Sequence, residues 1–569
     1  MPWVFDFETT TDPADCRVWA WAVCNIENPD ETHVGIDIST FLEFCERNPD
    51  EYWAHNLAFD GEFILSHILT HGWEYSNKLR DRTFSTLISN QRKFYQMKLC
   101  FKREKRKGSI CATFKDSLKK LPMSVDKIAR GFNLPLSKLE IDYSEYRAPG
   151  HKLTKDEYDY IINDVRIVAL ALREQFGLGL DRLTIGSDAL NGYKDLQENF
   201  KQLFPVLPQK MDEKIRLAYR GGWTYANPRY QADESHPSRT VKAGSVYDVN
   251  SLYPSVMYDK VLPHGYPVRF DGEYQTDKLR PLYIQFLTCS CELKPGYLPT
   301  LQIKGNPYFK PHEYVTNTGG MVELALTNVD LDLLFEHYNV EVMCYNGGFK
   351  FSPCKGVFCG YIDYWSEVKA NNKGAKRQLA KLMLNSLYGK FATNPDVTPM
   401  VPYLKDDGSV GYRLGVGETR EPVYTAMACF ITAYARETTI RAAQANYDRF
   451  LYADTDSIHL LGCQVPDLDV HPTRLGAWKE EAEFSRAKYV RAKTYIEKVT
   501  AVGGADANGE MRMLSCEHYN DVKCAGMPEE VKKNVTFSNF KRGSSWGGKL
   551  RPRHVPGGIV LEETTFTLT

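Results

Sequence analysis

The chain is poor in everything that would mark a membrane or secreted protein. No uninterrupted apolar run approaches the roughly 18 residues that a membrane span requires. The fourteen cysteines are scattered, and Cys289-x-Cys291 is the tightest spacing, with no paired CxxC. Neither a zinc cage nor a disulfide framework is indicated, and a reducing compartment is expected. The opening residues, Met1-Pro2-Trp3-Val4-Phe5-Asp6-Phe7-Glu8, put acids where a signal peptide needs a basic stretch and then apolar residues. The expectation is a protein with no signal peptide or transmembrane segment, working in a cytoplasm. Net charge is also missing: 71 Lys and Arg against 72 Asp and Glu leave −1. That balance excludes a uniformly basic nucleic-acid coat, yet it conceals local asymmetry.

At 569 residues, with 43% hydrophobic and 25% charged content, the chain reads as a globular protein of two to four domains. Between Lys532 and His554 stand Lys532, Lys533, Lys541, Arg542, Lys549, Arg551 and Arg553 without an acid. Phe537, Phe540 and Trp546 are interleaved, a pattern suited to tracking a phosphate backbone and stacking on bases. The cluster Lys102-Arg103-Glu104-Lys105-Arg106-Lys107-Gly108 reads more simply as a solvated hairpin tip.

The most informative feature is Asp454-Thr455-Asp456-Ser457 between the apolar runs Phe450–Ala453 and Ile458–Leu461. Carboxylates at i and i+2 of extended chain project from one face, and two like charges so placed call for a cation. A hard divalent ion such as Mg²⁺ fits, although an Asx-rich hairpin turn fits equally well on the local pattern alone. Residues 1–185 alternate strand-like and helix-like stretches, as an α/β domain does. Within them Asp6 and Glu8 share a strand face, Asp60 follows a strand-to-helix turn, and Tyr160 and Asp164 share a helix face four residues apart. That helix opens at a capping box, Thr154-x-x-Glu157, and runs to about Phe176.

Taken in order, Asp6-x-Glu8, Asn56-x-x-Phe59-Asp60 and Tyr160-x-x-x-Asp164 resemble the three motifs of the proofreading 3′→5′ exonuclease of DNA polymerases. Val246–Pro254 resembles motif A of family B DNA polymerases (Dx2SLYP), Lys381–Gly389 motif B (Kx3NSxYG) and Tyr452–Ser457 motif C (YxDTDS). Lys493-Thr494-Tyr495 matches KxY, Thr432-x-x-Ala435-Arg436 the Tx2AR type, and Tyr219-Arg220-Gly221-Gly222 the YxGG link. Helical projection of motif B places Arg377, Lys381, Leu384 and Tyr388 in a stripe about 60° wide, opposite Leu379, Leu382 and Met383. Two cations and an aromatic on one face suit a nucleoside triphosphate.

Covering essentially the whole chain, the resemblance is to the protein-primed, phi29-like branch of family B. It implies an RNase H-like exonuclease domain (1–185) followed by a right-hand polymerase, in a multidomain α+β and α/β fold. The palm would span 186–261 and 423–523, TPR1 262–357, fingers 358–393, TPR2 394–422 and thumb 524–569. It further implies two Mg²⁺ per active site, with Mn²⁺ able to substitute. Asp6, Glu8, Asp60 and Asp164 would hold one pair, with Tyr160 orienting water and Lys138 assisting. Asp248, Asp456 and the Val249 carbonyl would hold the other, with Asp454 in support. Tyr253, Lys369, Arg377, Lys381, Asn385 and Tyr388 would bind the incoming dNTP. Thr9, His55, Asn56, Phe59, Phe63, Ser117 and Leu118 would grip a single-stranded 3′ end. Tyr219, Gly221, Gly222, Ser251, Thr432, Arg436, Lys493 and Tyr495 would contact template and primer. The branch starts on a terminal protein, as a heterodimer, and then replicates a linear phage genome as a processive, strand-displacing monomer in the bacterial host cytoplasm. A polymerase restricted to nucleic-acid primers, a nuclease with a degenerate second half and a non-catalytic DNA scaffold are the competing readings.

Overall fold

The computed structural model describes residues 1–104, 108–143, 145–310, 313–506 and 510–569; Lys105–Lys107 of the basic cluster lie outside the described residues. No helix among the described residues is long and apolar enough to cross a membrane.

The N-terminal region is built on an eight-stranded mixed sheet. Its spatial order is Thr32–Gly35, Val18–Asn25, Trp3–Thr9, Glu51–Ala54, Gly108–Asp116, Phe94–Glu104, Thr83–Ile88 and Glu74–Tyr75. Strands Trp3–Thr9 and Val18–Asn25 are buried almost throughout, because both sheet faces are covered. Phe5, Phe7, Trp21 and Val23 pack toward helix Leu57–Thr70, while Val4, Ala20 and Ala22 pack toward helix Lys155–Gly177. The second helix starts on the capping box expected: Thr154 Oγ1 accepts from the Glu157 amide and Glu157 Oε2 from the Thr154 amide.

A seven-stranded antiparallel sheet centres the second half. Its order is Met511–Cys524, Thr494–Ala505, Trp478–Arg491, Val241–Val249, Ser457–Leu461, Phe450–Asp454 and Thr224–Ala226. Motif A therefore lies beside motif C, with Asp248 opposite Ser457. Helices Ile185–Leu196, Cys359–Asn371, Gly374–Phe391 and Thr425–Ala445 share one apolar core with this sheet. Between motifs A and B a separate four-stranded sheet (Leu262–Phe270, Tyr338–Cys354, Leu282–Leu293, Val322–Thr327) carries helix Asn328–His337. After motif B comes one hairpin, Met400–Leu404 with Val410–Leu414, closed at its base by Asp396–Val397 with Glu418–Thr419, and the chain ends in the hairpin Ser545–Val555 with Gly558–Thr567.

Two sequence expectations change here. Phe540 and Trp546 are buried and Phe537 half-buried, all in an apolar cluster with Val490, Ile496 and Met527. They anchor the C-terminal segment and do not stand ready to stack on bases. Its charges are also locally paired: Lys532 with Glu529, Lys533 with Glu530 and Arg553 with Glu562. Second, Leu384 is 4% exposed and belongs to the core. The motif B helix is covered on two sides, with Leu379 reaching the N-terminal domain's core, so its free stripe is narrower than the projection suggests.

Candidate active sites

The N-terminal acids converge on a cleft of about 600 Å³. Asp6 and Glu8 arrive on the central strand. Asp60 arrives on the first turn of helix Leu57–Thr70 and accepts the Phe7 amide at 3.3 Å. The turn before it needs Asn56 in a left-handed conformation, φ 89°, which asparagine tolerates better than most residues. Asp164 comes from the facing helix, where Lys138 Nζ pairs with its Oδ2 at 2.9 Å. Tyr160 is buried, with its hydroxyl 2.8 Å from that of Tyr143.

Electrostatics show what this cleft lacks. Burial and the neighbouring Asp164 push Asp6 up to about 7. Burial and adjoining carboxylates raise Glu8 and Asp60 well above the ordinary range, and burial raises Asp164 despite Lys138. Asp164 Oδ1 is buried without a hydrogen-bond partner. Carboxylates held against mutual repulsion, one with an orphaned oxygen, fit a hard divalent cation. Among the described residues no three acidic, histidine or cysteine ligands are already grouped as a cage.

The second centre lies in the palm-like sheet. Asp248 is the penultimate residue of its strand, and the Val249 amide donates to the Asp456 carbonyl at 2.8 Å, locking motif A to motif C. Thr455 sits in the left-handed region, φ 62°. The turn is fastened by its amide to the Trp223 carbonyl (2.8 Å) and by Thr439 Oγ1 to its own carbonyl (2.6 Å). Asp454 Oδ1 accepts Lys493 Nζ at 2.8 Å and Thr224 Oγ1 at 2.9 Å. One acid of the pair is therefore occupied by the protein, and the other faces Asp248. Burial first, then Asp456 and Glu481, push Asp248 up to about 8; burial also raises Asp456. This pair again fits a divalent cation.

Facing them, helix Gly374–Phe391 exposes Arg377, Lys381 and Asn385, and Arg377 donates to the Lys369 carbonyl at 2.7 Å. Burial, Arg377 and Lys381 together lower Lys369, the mark of a cationic cluster short of negative charge. Tyr253 and Tyr388 stack at 3.8 Å. Ser251, φ 57°, makes the turn from motif A into helix Leu252–Asp259.

Several expected DNA contacts are internal instead. Thr432 is 1% exposed, its hydroxyl donating to Ala428. Arg436 is 3% exposed, gripping Asp330 with two nitrogens and donating to the carbonyls of Arg220 (2.9 Å) and Gly221 (2.8 Å). Both belong to the scaffold beneath the Tyr219–Gly222 loop. Ser117 is buried, bonded to Ala54 and His55, and the Phe63 ring is buried under Gly558. The Tyr495 ring packs on Tyr452 and shows only an edge to the motif C cleft. Thr9, His55, Asn56 and Phe59 do line the N-terminal cleft, whereas Leu118 is half-buried beside it. Half-buried Tyr219 packs on the core, while Gly221 has open space around its Cα.

Three contributors were not anticipated. Tyr143, from the loop after Lys138, lines the N-terminal cleft; only its proximity to the lysine in sequence hinted at it. Lys479, paired across the strands with Asp248, and Glu481 come from a charged strand carrying no motif.

Comparison with known proteins now identifies the class. The family model for DNA polymerase type B, organellar and viral, matches residues 43–148 and 140–474, and the chain belongs to that family. Within it the chain falls among the phi29-like phage enzymes. It is 49% identical to the DNA polymerase of Bacillus phage M2 over 99% of this chain and 98% of that one. Phi29 DNA polymerase complexed with primer-template DNA superposes with a TM-score of 0.94 at 46% identity, each chain covered completely. The phi29 ternary complex with incoming nucleotide substrates gives 0.93 at the same identity and coverage. The chain is thus a phage-type DNA-directed DNA polymerase combining an exonuclease domain with a right-hand polymerase.

Proposed function

We propose that this polymerase replicates a linear phage genome by protein-primed initiation on a terminal protein, continues with processive strand displacement, and proofreads with its N-terminal domain. The observation that carries the reading is the presence of two separate acidic centres. In each, a lysine already pairs with one aspartate (Lys138 with Asp164, Lys493 with Asp454) while the remaining acids are raised by burial and repulsion. Bound at both centres, Mg²⁺ would supply the Lewis acid that activates the attacking oxygen and stabilises the leaving one.

The chain's own residues account for the rest. Asp248 and Asp456 hold the polymerising site, and Arg377, Lys381 and Lys369 neutralise the triphosphate as it enters. The stacked Tyr253 and Tyr388 separate to admit the sugar and base, and the Tyr253 ring leaves no room for a 2′-hydroxyl. At the other centre Asp6, Glu8, Asp60 and Asp164 hold the scissile phosphate's site, with Tyr160 and Tyr143 positioned to orient water. The insertion with sheet Leu262–Cys354 is the surface assigned to terminal protein and duplex. The 394–422 and C-terminal hairpins are assigned to enclosing the DNA.

Substitution separates the centres. Asp456→Ala should abolish nucleotide addition and spare degradation of single strands, and Asp6→Ala should do the reverse. Loss of both activities in either folded variant would sink the two-site reading. Covalent labelling of a purified terminal protein by a radioactive dNTP tests the priming mode; extension of DNA primers without such labelling would restrict the enzyme to nucleic-acid primers.

A further inference from the structure

Two separate arms of the chain meet on helix Leu57–Thr70. The turn Pro556-Gly557-Gly558 of the C-terminal hairpin lies directly on it, with the Gly557 amide donating to Ser66 Oγ at 3.1 Å. A Cβ on Gly557 would stand 2.0 Å from the Cys16 carbonyl oxygen, and one on Gly558 2.5 Å from the Phe63 ring. From the other side, Met400 and Val410 of the 394–422 hairpin enter the same apolar cluster as Val555, Ile559 and Val560. At its tip Gly408 faces Pro556, where an added Cβ would be 3.6 Å away.

In the middle of this junction stands Glu62, 4% exposed. The Tyr412 hydroxyl, from the 394–422 hairpin, donates to its Oε1. His554 Nδ1, from the C-terminal hairpin, lies 3.2 Å from its Oε2, at ion-pair distance but without hydrogen-bond geometry. The buried residues of the helix around Glu62 are mostly apolar, Leu57, Phe63, Ile64, Leu65 and Ile68, with Asp60 turned to the metal cleft and Ser66 taken by the Gly557 amide. Nothing in the N-terminal domain itself calls for an acid there, and a carboxylate buried against such a cluster is costly without partners. Its partners come from the two arms.

We propose that Glu62 is a positioning residue for processive synthesis: one carboxylate through which the N-terminal domain holds both hairpins, keeping shut the ring that they close with the palm. Each arm is covalently continuous with the polymerase core, so their meeting on one residue completes an enclosure. The inference rests on the reading that the two hairpins surround DNA. Opening the ring hydrates Glu62, whereas closing it requires both partners. Removing one partner leaves a buried charge short of a bond in the closed state alone, and so favours opening.

The test measures product length per binding event on a primed single-stranded circle, with excess unlabelled DNA trapping released enzyme. Tyr412→Phe and His554→Leu should each shorten the products about tenfold or more, the shift expected when a buried charge loses one of two partners. Addition of the first nucleotides to a short primer-template, with enzyme in excess, should be unchanged, as should degradation of single strands. Glu62→Ala should shorten the products at least as much, and adding Tyr412→Phe to it should change nothing further, because both substitutions act through the same contact. A role limited to local packing would make that double variant worse than Glu62→Ala. His554→Leu reads the same latch from the opposite arm should Tyr412→Phe disturb folding. Wild-type product lengths in both single variants or in Glu62→Ala, or a double variant clearly shorter than Glu62→Ala, would overturn the proposal. A wild-type enzyme that leaves the circle after a few nucleotides would instead overturn the enclosing reading beneath it.

Discussion

Arg436 separates two explanations of one motif, and its truncation measures which is right. If the side chain is scaffold, Arg436→Ala strips a buried carboxylate, Asp330, of its bidentate partner and frees the carbonyls of Arg220 and Gly221. Asp330 would keep only the Thr327 hydroxyl at 2.8 Å and the more distant charge of the buried Arg220. Breaking a buried ion pair from one side costs about 3–5 kcal/mol, part of it the uncompensated charge left behind. At about 2–4 °C per kcal/mol for units of 150–250 residues, and less for a larger one, the melting temperature should fall by about 5–10 °C. Differential scanning calorimetry reads that shift. The double variant Asp330→Leu/Arg436→Met should recover much of it, since apolar replacement of a buried pair is often neutral. Primer-template affinity should nevertheless stay low in the double variant, because the Tyr219–Gly222 loop has lost its two anchors. The opposite pattern would refute the reasoning: an unchanged melting temperature, with binding weakened and its logarithmic salt slope reduced by about one, is the signature of a direct phosphate contact.

Two further outcomes follow from the same region. Gly222→Ala should cut nucleotide addition severely and spare exonuclease activity, because the new Cβ would lie 2.6 Å from Thr455 Cγ2 in the motif C turn. Gly221→Ala has open space and should retain most polymerase activity, so equal loss in both variants on primer extension would contradict the geometry. Metal binding at the palm should also depend on pH. Asp248, raised to about 8, binds a proton in the folded, metal-free enzyme at pH values where the unfolded chain has released it. Metal-free stability therefore falls as pH rises from about 4 to about 8, and a divalent ion must displace that proton. Mg²⁺ affinity should rise about tenfold per pH unit up to about 8 and then level off. Calorimetric titration of an Asp6→Ala/Asp60→Ala variant across pH 6–9 isolates this centre, and a flat profile would refute the assignment.

Much of the site was legible because its chemistry is carried by short local patterns. Asp454 and Asp456, Asp6 and Glu8, and Tyr160 and Asp164 share faces by strand or helix periodicity, which needs no tertiary knowledge. The helix start at Thr154 could be read from its capping box for the same reason. What stayed illegible depends on contacts remote in sequence. Arg436 looks like a DNA-binding cation until Asp330, 106 residues away, is beside it. Phe540 and Trp546 sit among cations in sequence, yet the space around them is filled by Val490 and Met527. Leu384 fell in the cationic stripe because helical projection predicts one buried face, and this helix has two. Glu62 resembles any acid in a helix's first half; only the arrival of two hairpins from the far end of the chain makes it unusual.

The two centres also differ in a way that bears on how the enzyme divides its work. Both spend one lysine on one aspartate oxygen, which leaves Asp6, Glu8, Asp60 and the unpartnered Oδ1 of Asp164 at one centre and Asp248 and Asp456 at the other. The first set lines an enclosed cleft, with Glu8 and Asp60 deeply buried, although among the described residues no three acids are grouped as a ready cage. Asp248 and Asp456 stand at strand ends in the middle of the sheet and are fewer, and the missing oxygens would be those of a triphosphate held by Lys381, Arg377 and Lys369. On the function proposed above, the polymerase centre would lean on its own substrate's oxygens more than the exonuclease centre would. Scarcity of dNTP would then weaken the second centre more than the first, so a stalled primer end would be exposed to removal without any separate signal.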